Sequence, residues 1–91
     1  MAVSVRIPPI LRETTGGERA VESDAPTVAA VLADIDQRHP GFHDRLFSDD
    51  GELRRFVNIY VNDEDIRYLD QLDTPVQDGD TVSILPAVAG G

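Results

Sequence analysis

One amphipathic helix flanked by strand-like segments is the feature that most limits how this chain can fold. Four apolar residues recur at i, i+3, i+4 and i+7 and so form a single stripe: Val28, Val31, Leu32 and Ile35. Thr27 is placed to cap the first turn, and Pro40 ends the helix because the residue before a proline avoids the helical region. One such helix can cover one face of a sheet.

Alternating apolar and polar residues, or short apolar runs between turn residues, predict five strands. They span residues 3–7, 19–22, 53–61, 65–67 and 80–85. The irregular stretch of residues 42–52 has Phe42, Leu46 and Phe47 as apolar anchors and favours a short second helix. The order is β-β-α-β-β-β, so we expect an α+β fold with four or five strands. The inward positions form one predicted core: Val3, Val5, Ile7, Val28, Val31, Leu32, Ile35, Val57, Ile59, Val61, Val82 and Ile84.

Composition narrows the class of partner. The 91 residues suffice for one small domain, contain no cysteine, and carry 17 acids against 8 bases, all of them Arg. A net charge of −9 repels phosphate, which argues against nucleic acid and anionic membranes as partners. It favours a partner with a basic groove. With no signal-peptide pattern and no long apolar stretch, we expect a cytoplasmic protein.

The residue constellations of an enzyme are missing from the sequence. His39 and His43 are four apart, but Pro40-Gly41 separates them, so they cannot share a helical face as metal ligands. The acidic clusters lack the spacing of a calcium loop, and turn chemistry explains them. We therefore expect neither a bound metal nor a bound cofactor, and a protein that is not itself an enzyme.

The last five residues read Ala-Val-Ala-Gly-Gly and follow Pro86, which is expected to stop the final strand. They are small and uncharged, so we expect a flexible tail, residues 87–91, beyond a domain formed by residues 1–86. Five extended residues reach about 16–18 Å. The carboxylate of Gly91 has no neighbouring side chain, so a partner can thread Ala87, Val88, Ala89 and Gly90 into a narrow channel. The alternative is a frayed end or a cloning remnant.

A second candidate site lies on the outward face of the predicted sheet. Phe56, Tyr60 and Leu85 would sit there on neighbouring strands, among polar residues. Three large apolar side chains on adjacent strands are typical of a docking patch for a partner. The alternatives are that they are scattered surface residues or that they face the core.

These features together resemble a known family. The segment Phe56–Arg67 (FVNIYVNDEDIR), the turn and strand Asp78–Pro86 (DGDTVSILP) and the Gly-Gly end resemble the ubiquitin-like sulfur carriers of the MoaD/ThiS type. Within them, the chain is most similar to the CysO branch. The resemblance covers the whole chain and implies a β-grasp fold, in which a mixed sheet of four or five strands packs on one main helix.

The resemblance also implies a function. In such carriers an E1-like enzyme uses ATP to adenylate the terminal carboxylate, here Gly91, and a sulfur donor converts the adenylate to a thiocarboxylate. In the CysO branch the acceptor is a cysteine synthase that uses pyridoxal phosphate, and a metallopeptidase then releases the product. The carrier itself is expected to be a monomer when free.

Other functions remain open at this stage. A ubiquitin-like protein modifier would use the same tail to form isopeptide bonds with lysines of target proteins. A β-grasp interaction module with an inert tail is also compatible with the residues. Among sulfur carriers, the acceptor pathway can be molybdopterin, thiamine, cysteine or a thiolated secondary metabolite, since no residue of the chain identifies it.

Overall fold

The computed structural model describes residues 2–55 and 57–86. Its strands are β1 (Val3–Arg6), β2 (Ala20–Ser23), β3 (Val57–Val61), β4 (Glu64–Asp65) and β5 (Thr81–Pro86). Its α-helices are α1 (Val28–Arg38) and α2 (Phe42–Leu46), and three short 3₁₀ helices lie at Pro9–Leu11, Ile66–Tyr68 and Gln71–Asp73. The predicted α+β class, with one main helix, is confirmed.

The strands form one five-stranded mixed sheet in the order β2-β1-β5-β3-β4. The first and last strands, β1 and β5, lie side by side and parallel, whereas the other neighbouring strands are antiparallel. A parallel pair needs a long crossover, and here it consists of everything between β1 and β5, including α1. This arrangement places the end of β5 beside the start of β3, where Pro86 is opposite Val57.

Helix α1 forms as its sequence predicts. The Thr27 hydroxyl accepts a hydrogen bond from the backbone N–H of Ala30 at 3.2 Å, which satisfies one free donor of the first turn. All four residues of the apolar stripe are fully buried, so the helix packs its whole apolar face into the core. The backbone N–H of His39 closes the last turn on the carbonyl of Ile35, just before Pro40.

Every predicted core residue is buried, and the core is larger than predicted. Strand β3 shows why the prediction worked, since Val57, Ile59 and Val61 are buried while Asn58 and Tyr60, between them, are only partly so. The additional core members come from β2, from α2 and from the segments that connect the main elements: Leu11, Val21, Phe42, Leu46, Phe47, Ile66 and Val76. Phe42 and Leu46 lie on α2, so the expected short second helix is present and supplies fully buried side chains.

The predicted strand over residues 53–61 was too long at its beginning. Leu53 makes only an isolated bridge with Phe47, and the Arg54 backbone N–H donates to the carbonyl of Leu46 at 2.8 Å. These contacts hold the segment against α2 and away from the sheet. Phe56 lies outside the described residues, and the described strand begins at Val57.

The other strand corrections occur at turns. Residues 65–67 were predicted as a strand, but β4 ends at Asp65, whose carboxylate accepts the backbone N–H of Arg67 and starts a 3₁₀ helix. Strand β2 runs to Ser23, one residue beyond its predicted end, and lacks Arg19. Pro86 was expected to stop β5, yet it is the last paired residue of that strand.

Candidate functional site

Tyr60 and Leu85, two of the three residues predicted for a docking patch, lie on the same face of the sheet. Tyr60 is opposite Ser83, and Leu85 is opposite Asn58, so Tyr60 and Leu85 are diagonal neighbours on β3 and β5. Both alternate with buried residues, which places them on the face turned away from the core. Leu85 is 48% exposed and Tyr60 is half-buried. The alternative in which they face the core is excluded for these two residues.

The third patch residue, Phe56, and the five tail residues, Ala87 to Gly91, lie outside the described residues. The described chain ends at Pro86, directly after Leu85 and opposite Val57. Residues 87–91 therefore follow directly from the end of β5, next to Leu85. A partner that holds the outer face would be positioned beside the attachment point of the tail.

A charged network that the sequence did not reveal flanks Tyr60. Asp65, opposite Tyr60 in the β3–β4 pair, is only 8% exposed and accepts from Nε and Nη2 of Arg67, with the shortest distance 2.7 Å. Nη2 of Arg67 also donates to the Asn58 side-chain oxygen at 3.1 Å. The guanidinium is thereby fixed on the outer face, although the Arg67 side chain remains 68% exposed.

The pairing shifts both titrations. The side-chain hydrogen bonds from Arg67, followed by its backbone N–H, hold the pKa of Asp65 below its ordinary value, against the weaker opposing effect of burial. The side-chain hydrogen bonds to Asp65, together with its negative charge, raise the pKa of Arg67. The only sequence signal was an Asp followed two residues later by an Arg, a spacing that is common in turns and does not identify a network.

Other titratable residues do not gather into a site in the described part of the chain. No group of three His, Asp or Glu side chains within residues 2–55 and 57–86 could hold a metal ion. The His43 ring stacks on Phe47 at a centroid distance of 4.1 Å, and its backbone N–H donates to Asp36. No helix in the same residues is long and apolar enough to cross a bilayer.

Comparison with known proteins decides the family. The profile of the ThiS family matches residues 5–91, nearly the whole chain. The chain belongs to the ThiS family. This confirms the resemblance to the MoaD/ThiS-type proteins that the sequence indicated.

Full-length relatives place this ThiS-family chain near the CysO branch. It is 52% identical over 93 residues to the sulfur carrier protein CysO of Mycobacterium tuberculosis, and the alignment covers 100% of both chains. It is 36% identical over 94 residues to small archaeal modifier protein 3 of Haloferax volcanii, again with 100% of both covered. These matches confirm the prediction that the chain is CysO-like. They also confirm the prediction that it belongs with small carrier proteins and not with enzymes.

A solved structure supports the same conclusion for the fold. The chain superposes with a TM-score of 0.90 on a chain in the crystal structure of the Amycolatopsis orientalis BexX/CysO complex. The two are 52% identical, and the match covers 99% of this chain and 100% of the other. The predicted ubiquitin-like β-grasp fold is therefore confirmed for this ThiS-family protein.

Proposed function

We propose that the protein is a sulfur carrier whose Gly91 carboxylate is activated by an E1-like enzyme and converted to a thiocarboxylate. The observation that carries this proposal is the 52% identity, over the full length of both chains, to proteins named sulfur carrier protein CysO. The sequence ends in two glycines, which carry no side chain, and such a terminus suits this chemistry. ATP is then a substrate of the partner enzyme and is not held by the carrier.

The chemistry explains why activation is needed. A carboxylate resists attack because its negative charge is shared by both oxygens and it has no good leaving group. In the proposed first step a carboxylate oxygen of Gly91 attacks the α-phosphorus of ATP and expels pyrophosphate. A sulfur nucleophile from the donor then attacks the carbonyl carbon, AMP leaves, and the C–S bond replaces one C–O bond. The resulting thiocarboxylate is a soft anionic nucleophile.

In this proposal the outer face docks the partner enzyme, and the tail carries the reactive carboxylate into its active site. Tyr60 and Leu85, with Phe56 as the third predicted member, would dock the activating enzyme, and the tail starts directly beyond Leu85. Five extended residues span about 16–18 Å, which is enough to enter a channel from a docked domain. Ala87, Val88, Ala89 and Gly90 would line the path without bulky side chains.

For the destination of the sulfur, we propose cysteine biosynthesis in the cytoplasm. The proposed acceptor is a cysteine synthase that uses pyridoxal phosphate, and a metallopeptidase would release the product from the carrier. The similarity to CysO proteins supports this choice over molybdopterin, thiamine or a thiolated secondary metabolite. The complex of CysO with BexX shows that a relative of this chain assembles with another protein.

A second candidate function is protein modification. The observation that favours it is the 36% full-length identity to small archaeal modifier protein 3. A modifier would also be activated at Gly91, but a lysine of a target protein would attack the carbonyl and form an isopeptide bond. The two functions therefore differ only in the nucleophile that follows activation.

Intact mass spectrometry tests the proposal. The full chain is incubated with ATP, a sulfide donor and the E1-like enzyme of the same organism, and α,β-methylene ATP replaces ATP in the control. We expect a gain equal to the difference between sulfur and oxygen, confined to the C-terminal peptide and absent from the control. Adducts with the mass of a second protein would favour the modifier. An unchanged mass, with an enzyme that is active on another carrier, would contradict both.

A further inference from the structure

The guanidinium of Arg67 is held in place on the outer face of the sheet, beside two of the predicted docking residues. Its Nε and Nη2 donate to the carboxylate of Asp65, and Nη2 also donates to the side-chain oxygen of Asn58 at 3.1 Å. Asp65 is opposite Tyr60, and Asn58 is opposite Leu85, and residues opposite each other in a sheet share a face. Arg67 is therefore fixed next to Tyr60 and Leu85.

Only part of this guanidinium is used within the domain. An arginine side chain has five N–H donors in one rigid plane. The N–H of Nε and the two of Nη2 account for the contacts with Asp65 and Asn58, whereas Nη1 donates to no residue in the part of the chain that the structure describes. The side chain remains 68% exposed. Two N–H groups of Arg67 are therefore left to donate to water or to a partner.

The fixed position of these two donors lowers the entropy lost when a partner uses them. A mobile arginine side chain loses its rotamer freedom on binding, but Arg67 has already lost much of it, since Asp65 and Asn58 hold it in two places. Arg6 is also exposed on the outer face, opposite Ser83, but its side chain donates to no described residue. Of these two arginines, Arg67 is the one prepared for a directional contact.

The charge of the pair indicates which acceptor the two donors suit. Asp65 lies 2.7 Å from Nη2 of Arg67, so the pair carries no net charge, and the whole chain carries −9. A partner carboxylate at Nη1 would be repelled by the carboxylate of Asp65, which lies against the same guanidinium. A carbonyl oxygen meets no such repulsion and can accept both in direction and in distance. The arrangement therefore favours a neutral carbonyl acceptor.

The place where the tail begins indicates which partner brings that acceptor. Residues 87–91 follow directly from the end of β5, next to Leu85, and span about 16–18 Å when extended. An enzyme that acts on the carboxylate of Gly91 must bring its active site within that distance of Pro86. The outer-face residues nearest to Pro86 in the sheet are Leu85 and Asn58, and Asn58 holds Arg67. The activating enzyme is therefore well placed to contact Arg67.

We propose that Arg67 is a docking residue for the activating enzyme, and that its Nη1 donates to a carbonyl oxygen of that enzyme. The contact fixes the orientation of the carrier beside Tyr60 and Leu85, while Asp65 and Asn58 act as positioning residues that hold the guanidinium. This inference rests on the proposed function, because it takes the enzyme that activates Gly91 as the partner.

The test is ATP–pyrophosphate exchange by the E1-like enzyme, with the full-length carrier as the varied substrate. Arg67→Lys keeps the charge beside Asp65 but loses the planar fork, so the KM for the carrier should rise about tenfold at an unchanged kcat. Arg19→Lys, the same change at an exposed position before β2, is the matched control and should leave both constants unchanged.

A second variant decides between a neutral and an anionic acceptor, and it also serves if Arg67→Lys fails to fold. Asp65→Asn should raise the KM about threefold, because the guanidinium is held less firmly. Against a partner carboxylate the same substitution would lower the KM, since it removes the repelling charge. An unchanged KM would show that holding Arg67 in place has no effect on docking. Either of these two results would overturn the inference.

The remaining outcomes separate this inference from the function on which it rests. A parent-like KM in Arg67→Lys, a loss confined to kcat, or an equal rise in Arg19→Lys would overturn the inference while exchange with the parent chain still supports the carrier function. No exchange with the parent chain, by an enzyme that is active on another carrier, would contradict the proposed function and this inference together.

Discussion

The two faces of the sheet are built from alternating residues of the same strands, yet one face packs in the core and the other faces outward. On β5, Ile84 is 2% exposed and packs in the core, whereas its neighbour Leu85 is 48% exposed on the outer face. On β3 the buried Ile59 is followed by the half-buried Tyr60. The side chains of the inner face are buried, so each of them contributes to the core. The outer face carries the exposed side chain of Leu85 close to the charged pair of Asp65 and Arg67, and this is where recognition of partners is expected.

The largest effect should come from removing an inner-face side chain. Ile84→Ala deletes buried methylene and methyl groups and leaves a cavity, so we expect a loss of about 2–5 kcal/mol in the free energy of unfolding. Leu85→Ala is the matched control, one residue away on the other face, and should change it by no more than about 0.5 kcal/mol. Urea denaturation of both variants measures the difference. Equal losses would show that the two faces do not differ as described.

Substitutions on the outer face should weaken binding to the partner while leaving the free energy of unfolding nearly unchanged. Leu85→Ala or Tyr60→Ala should weaken association with the activating enzyme by about 1–3 kcal/mol, the usual range for an interface anchor. Calorimetric titration against that enzyme measures the loss, and Ile10→Ala, an exposed apolar residue at another position, is the control. A folded Leu85→Ala variant that binds with normal affinity would remove Leu85 from the docking patch.

A smaller effect is expected from Asp65 as the pH falls. Its pKa is lower in the folded chain than the ordinary value of 3.8, so its pairing with Arg67 stabilises the fold above that value. The contribution is lost as the pH falls through the folded-state pKa. Melting temperatures taken across this acid range should fall less steeply in Asp65→Asn than in the parent chain. Asp49→Asn, an exposed loop control, should leave the slope unchanged, and an unchanged slope in Asp65→Asn would contradict the pairing.

The smallest expected effect is on the rate of encounter. With a net charge of −9, association with a partner that has a basic groove should slow as salt rises, because exposed charges are screened over about 10 Å at 0.1 M. Stopped-flow binding from low to moderate salt measures the slope. A rate that does not depend on salt would mean that the acidic surface plays no part in steering.

The inner face could be predicted from the sequence because period-2 and helical patterns report burial directly. The alternation along β3 was enough to predict the burial of Val57, Ile59 and Val61, without any information on the neighbouring strands. The errors came where the backbone is directed by a distant or local hydrogen bond. Arg54 is not part of β3, because its backbone N–H donates to the carbonyl of Leu46. Arg67 is not part of β4, because its backbone N–H donates to the side chain of Asp65.

The candidate site was predictable only in part, for the same physical reason. Alternation along β3 and β5 was enough to place Tyr60 and Leu85 on one face. The pairing of Arg67 with Asp65 and Asn58 depends on a turn that brings separate segments together. No periodicity encodes such contacts. The docking role of Tyr60 and Leu85 stays a prediction, since the structure gives only their position. The roles of Phe56 and of residues 87–91 also stay predictions, because these residues lie outside the described ones.

Deletion of Gly91 is the most direct test of the central claim that the domain carries a reactive terminus it does not need for folding. The shortened chain should melt at the temperature of the parent. Its new carboxylate is set back by about 3.5 Å, and since a misplacement of about 1 Å can cost 100-fold in an enzyme site, ATP–pyrophosphate exchange with the E1-like enzyme should essentially stop. Exchange at the normal rate in the deletion would contradict the sulfur-carrier function.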